Sequence, residues 1–259
     1  MSANPVVVVT GASKGIGLAV ATLLLDKFGA RVVGISRTRS PDVDKLTATH
    51  PDTFLHIECD VTDAAAFENA IATTLKTFSR LDSLVLNAGV LEPTGPITSP
   101  ALSIDAWKSH FDVNFFSLLT ALRVTLPTLR ASANGGRIVF MSSGSATGNT
   151  YGWAPYNASK AAVNSLCRTL AQEEPDVVCV ALRPGKVDTA MQAQIRSLDG
   201  KMRPEDMAKY VKEFKEGKLV DPSECGYVIA GLALRAPKEL TGKFVSWDSE
   251  ECRDFWDDQ

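Results

Sequence analysis

Tyr156 and Lys160 stand four residues apart in Tyr156-Asn157-Ala158-Ser159-Lys160, just before an alanine-rich, helix-forming run. On a helix that spacing puts both side chains on one face, one turn from each other. A phenol ordinarily titrates near ~10, too high for easy proton exchange at neutral pH. A fixed ammonium one turn away favours the phenolate and lowers that value, so the pair could act as a tuned proton donor and acceptor. The same spacing arises by chance on many solvated helices. The chemistry therefore requires a hydride carrier and an oxyanion partner from elsewhere in the chain.

A carrier site is written at the N-terminal end. Val6-Val7-Val8-Val9 is a continuous β-branched run, as expected of a strand covered on both faces. It enters Thr10-Gly11-Ala12-Ser13-Lys14-Gly15-Ile16-Gly17 and then a helical pattern through Leu18, Ala21, Leu24 and Leu25. Strand, glycine-rich turn and helix make a cradle in which backbone N–H groups approach a phosphate at the helix N-terminus. A second strand ends at Ser36-Arg37-Thr38-Arg39, with no carboxylate at the position that would hold a ribose 2′-hydroxyl. Arg37 and Arg39, with Lys14 in the glycine turn, suit a 2′-phosphate instead. The reading is NADP(H) in preference to NAD.

The remaining elements alternate in the same way. Asp60-Val61 follows a third strand, where Asp60 could reach an adenine amino group and Asp63 caps the next helix. Asn87-Ala88-Gly89 closes a fourth strand with small residues against which a dinucleotide can lie. A long helix is expected over about 103–130, kinked near Pro127, with Asn114 set among Val113, Phe115 and Phe116. A fifth strand ends at Ser142-Ser143, and a sixth runs into Arg183-Pro184-Gly185-Lys186-Val187-Asp188-Thr189. The charged, weakly amphipathic stretch 190–220 reads either as a substrate lid or as ordinary surface helices. Strands alternating with helices predict an α/β Rossmann fold, a doubly wound parallel sheet of about seven strands with helices on both faces. No linker divides it, so residues 1–259 are expected to form one dinucleotide-binding domain.

Bulk properties narrow the partners. A net charge of -3 argues against nucleic acid or an anionic membrane surface, both of which need clustered positive charge. The five cysteines form an odd set without a C-x-x-C pair, as in a reducing, cytoplasmic setting. No secretory leader is visible in the first residues. His50, His56 and His110 lack metal-ligand spacing, so no metal site is expected.

Thr10-Gly11-x-x-x-Gly15-x-Gly17, Asn87-Ala88-Gly89, Asn114, Ser143, Tyr156-x-x-x-Lys160 and Pro184-Gly185-x-Val187-x-Thr189 together resemble the short-chain dehydrogenase/reductase family. Ser143 precedes Tyr156 by the family's usual interval, which favours it over Ser142 and Ser145. Finer similarity, in 82–93, 114–117 and 187–192, is to the benzil reductase group, itself similar to sepiapterin reductase. Ser246 falls where the latter has a pterin-anchoring carboxylate, with Asp248 two residues on.

The resemblance implies hydride transfer between nicotinamide and a carbonyl carbon, with Tyr156 as acid and Ser143 on the carbonyl oxygen. It implies Lys160 on the nicotinamide ribose and Asn114 holding a water that links Lys160 to solvent. Gly11, Ser13, Lys14, Gly15, Ile16 and Gly17 would bind the diphosphate side, and Arg37 the 2′-phosphate. Asp60 and Val61 would face the adenine. Asn87, Ala88 and Gly89 would back the ribose and nicotinamide arm, while Pro184, Gly185, Val187 and Thr189 would contact the nicotinamide amide. Tyr151, Trp153 and Met191 are the candidate substrate contacts; Trp247 and the 248–259 tail are open between pocket rim and core. A small carbonyl compound is the expected partner, benzil-type diketones favoured. Oxidation of a hydroxyl substrate and cofactor sensing without turnover are the alternatives. The family implies a homodimer or homotetramer, with the 103–130 helix at the interface.

Overall fold

The computed structural model describes residues 4–198 and 200–257. Met1 to Ala3, Asp199, Asp258 and Gln259, which touch the expectations for the leader, the lid and the tail, lie outside the described residues. The chain alternates as the pattern requires: β1 (Val6–Thr10), α1 (Gly15–Asp26), β2 (Arg31–Ser36), α2 (Pro41–Thr49), β3 (Phe54–Glu58), α3 (Ala64–Phe78) and β4 (Ser83–Leu86). Then come α4 (Ile104–Phe111), α5 (Ser117–Arg130), β5 (Gly136–Met141), α6 (Ala154–Glu173), β6 (Val177–Arg183), α7 (Ala190–Arg196), α8 (Pro204–Lys215), α9 (Pro222–Arg235) and β7 (Phe244–Ser246). The seven strands form one parallel sheet in the order β3-β2-β1-β4-β5-β6-β7.

The valine run of β1 is uninterrupted because both faces are covered. Val7 and Val9 enter a core with α1 and α9, whereas Val6 and Val8 enter a second core with α3, α5 and α6. Strand order reverses between β1 and β4, and this switch point opens a crevice at the carboxyl edge of the sheet. All five cysteines are buried and unpaired.

Three details differ from the sequence reading. Between β2 and β3 lies α2, capped by the Ser40 hydroxyl, which accepts from Val43 N–H at 3.3 Å. The long helix is interrupted at a π-helical turn, Asp112–Phe116, and continues through Pro127 in α5. The break falls there because the Asn114 side chain is pulled across to the loop after β4, bonding both N–H and C=O of Val90 (2.8 and 2.9 Å). The 190–220 stretch folds into α7 and α8, and its two ends are fastened together by a parallel bridge between Val187 and Val220.

The glycine turn is set by packing as much as by backbone freedom. A Cβ on Gly17 would lie 2.3 Å from the Gly11 carbonyl oxygen and 2.6 Å from Asn87 Nδ2. Both neighbours are fixed, so Gly17→Ala should lower unfolding free energy by about 2 kcal/mol, the usual scale of an overpacked site. Denaturant unfolding checks this; an unchanged midpoint would mean that the turn opens without resistance.

Candidate active site

At the switch point, Thr10 and Asn87 lock the ends of β1 and β4 together. The Asn87 side chain donates from Nδ2 to the Thr10 carbonyl at 2.9 Å, and the backbone N–H groups of Asn87 and Ala88 both donate to Thr10 Oγ1 at 3.0 Å. Above them lies a cleft of about 620 Å³ that gathers most of the sequence-predicted residues. Gly11, Ser13, Lys14, Gly15, Ile16, Arg37, Asp60 and Val61 line one arm. Asn87, Ala88, Gly89, Ser143, Tyr156, Lys160, Pro184, Gly185, Val187 and Thr189 line the middle and the other arm, together with Trp153 and Met191.

The first arm is built for an anion. Helix α1 begins at Gly15 with no side-chain cap and no acidic residue in its first turn, so its leading N–H groups have no competing carboxylate. Gly11 and Gly15 hold left-handed backbone at φ of 70° and 55°, which turns the chain around the cradle. Lys14 and Arg37 are exposed beside it. Arg39 instead turns away to pair with Asp44. Asp60 accepts from the backbone and hydroxyl of Thr62 at 2.9 and 2.8 Å. The Thr62 backbone bond is the main reason its carboxyl is held below the ordinary range, with the Arg37 charge a smaller one.

The middle of the cleft joins β5 to α6. Ser142 turns its hydroxyl into the core, donating to Asn164 at 2.6 Å, and leaves Ser143 lining the cleft with Tyr156, where its hydroxyl favours the phenolate. Lys160 is buried, donates to the Met141 carbonyl at 2.6 Å and sits 5.7 Å from the Tyr156 ring centroid. Burial pushes the Lys160 ammonium down from 10.5 to about 8. Burial also pushes the Tyr156 phenol above its ordinary value, and the Ser143 hydroxyl opposes this without prevailing. The expected lowering by the neighbouring lysine is not met. Desolvation of a phenolate outweighs the attraction of an ammonium that is itself reluctant to stay charged.

Some expected residues fall elsewhere. Asn114 lies behind the cleft wall, with its amide held by Val90 and, at 2.9 Å, by His110 Nε2. Gly17 serves the packing of the turn and does not reach the cleft. Tyr151 lines a separate shallow depression with Gly95 and Ile97, under the guanidinium of Arg203 5.3 Å from its ring centroid. Trp247 packs into the core beside Gly185, and its carbonyl accepts from Trp256 Nε1–H at 2.9 Å, so this part of the tail braces the final strand. Conversely, Leu91, Gln192 and Tyr210 line the cleft although no motif marks them as site residues, and Ile195 of the 190–220 stretch joins them. Tyr210 comes from α8, fifty-four residues beyond Tyr156 by number, and no local spacing announces it.

Among the described residues no helix is long and apolar enough to cross a membrane, and no cluster of metal-ligating side chains occurs.

This fold and cleft define a dinucleotide-dependent oxidoreductase scaffold. The chain belongs to the short-chain dehydrogenase family, whose description matches residues 5–199. It is 42% identical over 250 residues to an uncharacterized oxidoreductase of Schizosaccharomyces pombe, covering 96% of this chain and 98% of that one. It is 34% identical over 253 residues to the benzil reductase ((S)-benzoin forming) of Saccharomyces cerevisiae, covering 95% and 96% of the two chains. Among solved structures, a short chain dehydrogenase/reductase from Saccharomyces cerevisiae superposes with a TM-score of 0.92 at 34% identity, over 98% of this chain and all of that one (100%). The structure of the KRED1-Pglu enzyme superposes with a TM-score of 0.88 at 37% identity, covering 93% and 100%. Membership implies a nicotinamide dinucleotide cofactor, NAD or NADP. The uncapped α1 N-terminus and its flanking cations fit the diphosphate of such a group.

The buried lysine has a measurable consequence. Unfolded, its ammonium titrates at 10.5; folded, at about 8, so between those values the unfolded chain binds more protons. Stability contributed at this position should rise with pH across that window. The unfolding free energy of wild type relative to Lys160→Met should increase from pH 8 to 10.5; a flat difference would show that the ammonium is not desolvated.

Proposed function

We propose that this protein is an NADPH-dependent carbonyl reductase acting on ketones or diketones, with benzil-type aromatic diketones favoured. The observation that carries this reading is the meeting of Tyr156, Ser143 and Lys160 in one cleft whose far arm holds an uncapped helix N-terminus, Lys14 and Arg37. The bound dinucleotide supplies a hydride. Tyr156 gives its proton to the carbonyl oxygen, and a phenol kept neutral by burial is in the correct state to do so. Ser143 donates to the same oxygen and stabilises the charge developing there. Lys160 is held by Met141 beside the phenol, where it orients the ribose and takes part in proton replacement. Asn114 acts from behind, keeping the π-turn and the loop after β4 in register. Arg37, with Lys14, reads the 2′-phosphate.

The apolar end of the cleft supports an aromatic substrate. Leu91, Trp153, Ile195 and Tyr156 form a satellite cluster against which Met191 and Tyr210 pack. Helices α7 and α8 supply much of that wall and act as the lid. Similarity to the yeast benzil reductase agrees with this chemistry. A homo-oligomer joined through the exposed face of α4, the π-turn and α5, where Ile104 and Phe116 stand out, completes the reading.

Tyr156→Phe should abolish turnover while leaving NADPH binding, followed by nucleotide fluorescence, within about twofold of wild type. Normal turnover in that variant would refute the assignment of the acid. Arg37→Ala should raise the KM for NADPH by about tenfold or more, the worth of one charge-assisted phosphate contact, and leave that for NADH nearly unchanged. Equal losses for both nucleotides would mean that the guanidinium does not read the phosphate.

A further inference from the structure

Buried polar atoms are almost always hydrogen-bonded, and an exception in a cleft wall points to a partner that binds there. Two cleft-lining residues break the rule. Gln192 is only 3% exposed, and neither its Oε1 nor its Nε2 has a hydrogen-bond partner. Trp153, also 3% exposed, has no acceptor for its indole Nε1–H. Both belong to the apolar end of the cleft. Trp153 packs edge-on against Tyr156 with ring centroids 5.8 Å apart, and Gln192 sits on α7 between the cleft residues Met191 and Ile195. The backbone N–H of Gln192 is capped by Thr189 at 3.4 Å, which fixes the start of α7 but leaves the side-chain amide unused. An unpaired amide in such surroundings is destabilising. Leucine would fill the position without that cost.

We propose that Gln192 binds a second oxygen of the substrate, next to the carbonyl that Tyr156 protonates, and thereby decides which of two adjacent carbonyls is reduced. The substrate class is a vicinal dicarbonyl compound flanked by apolar groups, with the Trp153 indole as a supporting donor. This inference rests on the carbonyl-reductase reading above. One carbonyl carbon accepts the hydride and its oxygen takes the Tyr156 proton, giving an alcohol; the second carbonyl stays intact and is held by the amide throughout.

The test is a comparison of benzil with deoxybenzoin, which has a methylene in place of one carbonyl, in wild type and Gln192→Leu. The variant should lose about tenfold in kcat/KM on benzil, the scale of one hydrogen bond to a substrate oxygen, with deoxybenzoin changed less than twofold. The ratio of the two hydroxyketones formed from 1-phenyl-1,2-propanedione should shift at the same time, and NADPH binding should not. Equal losses on both substrates, or no loss on benzil, would overturn the proposal. Weakened NADPH binding would overturn it too, by assigning the amide to the nicotinamide. Wild type inactive on all three compounds with either nucleotide would instead bring down the underlying reading, and this inference with it.

Discussion

The side-chain amide of Asn87 holds the site together. It bridges the carboxyl ends of β1 and β4 across the point where the sheet reverses order, with Thr10 answering from the other side. Everything nearby conforms to that contact. Gly17 and Gly11 carry no side chain because a Cβ at either would come within 3 Å of Asn87 Nδ2, at 2.6 and 2.9 Å. Helix α1 can therefore start close beneath the cleft with its N–H groups directed toward it. Two arms of one cleft are thus referenced to a single tie, and a shift at Asn87 would displace the phosphate cradle and the β4 loop together.

The reactive end is organised by what burial does to ionisable groups. Taking Tyr156 out of water keeps its proton on, while taking Lys160 out of water makes its charge harder to keep. Their opposite displacements reverse the solution order and widen the gap between the two groups, so the proton stays on the phenol and is not passed to the lysine. Behind them, His110 donates from Nδ1 to the Glu92 carbonyl at 2.7 Å and leaves Nε2 to accept from Asn114. Burial, helped by the Lys160 charge, holds that imidazole neutral, which suits its role as acceptor. Behind the wall, both ring nitrogens of His110 and both side-chain amide atoms of Asn114 have partners.

Much of this was legible in the residues. Period and turn chemistry identify the parallel sheet, since a four-valine strand followed by Gly11, Gly15 and Gly17 has few other structural uses. The candidate trio of Ser143, Tyr156 and Lys160 is legible because its members stand near strand and helix ends whose positions follow from the fold. What escaped depends on long-range packing. The direction of the Tyr156 shift reflects the total burial of the ring, which a spacing of four residues does not contain. Tyr151 and Trp153 look alike in the loop sequence, yet Gly152, at φ 80°, lies between them; Trp153 faces the cleft and Tyr151 the surface. Gln192 and Tyr210 reach the cleft only because 190–220 folds back over it. The π-turn at Asn114 required knowing that Val90 lay opposite, whereas Pro127 offered a local reason for a kink that the tertiary contacts did not use.

The bridge between Val187 and Val220 gives the molecule a modular boundary. Backbone bonds from Asp188 N–H to the Val220 carbonyl and from Val220 N–H to the Lys186 carbonyl, both 2.9 Å, bring the two ends of a thirty-odd-residue excursion to one point on the rim. The strands of the sheet therefore meet that excursion at one closed point on the rim, while Thr189, inside it, reaches back to line the cleft beside the glycine turn. No strand of the sheet lies between those two valines, so the strand register is set by residues outside the excursion. The part of the cleft wall that α7 and α8 supply and the register of the sheet are thus set by separate stretches of chain.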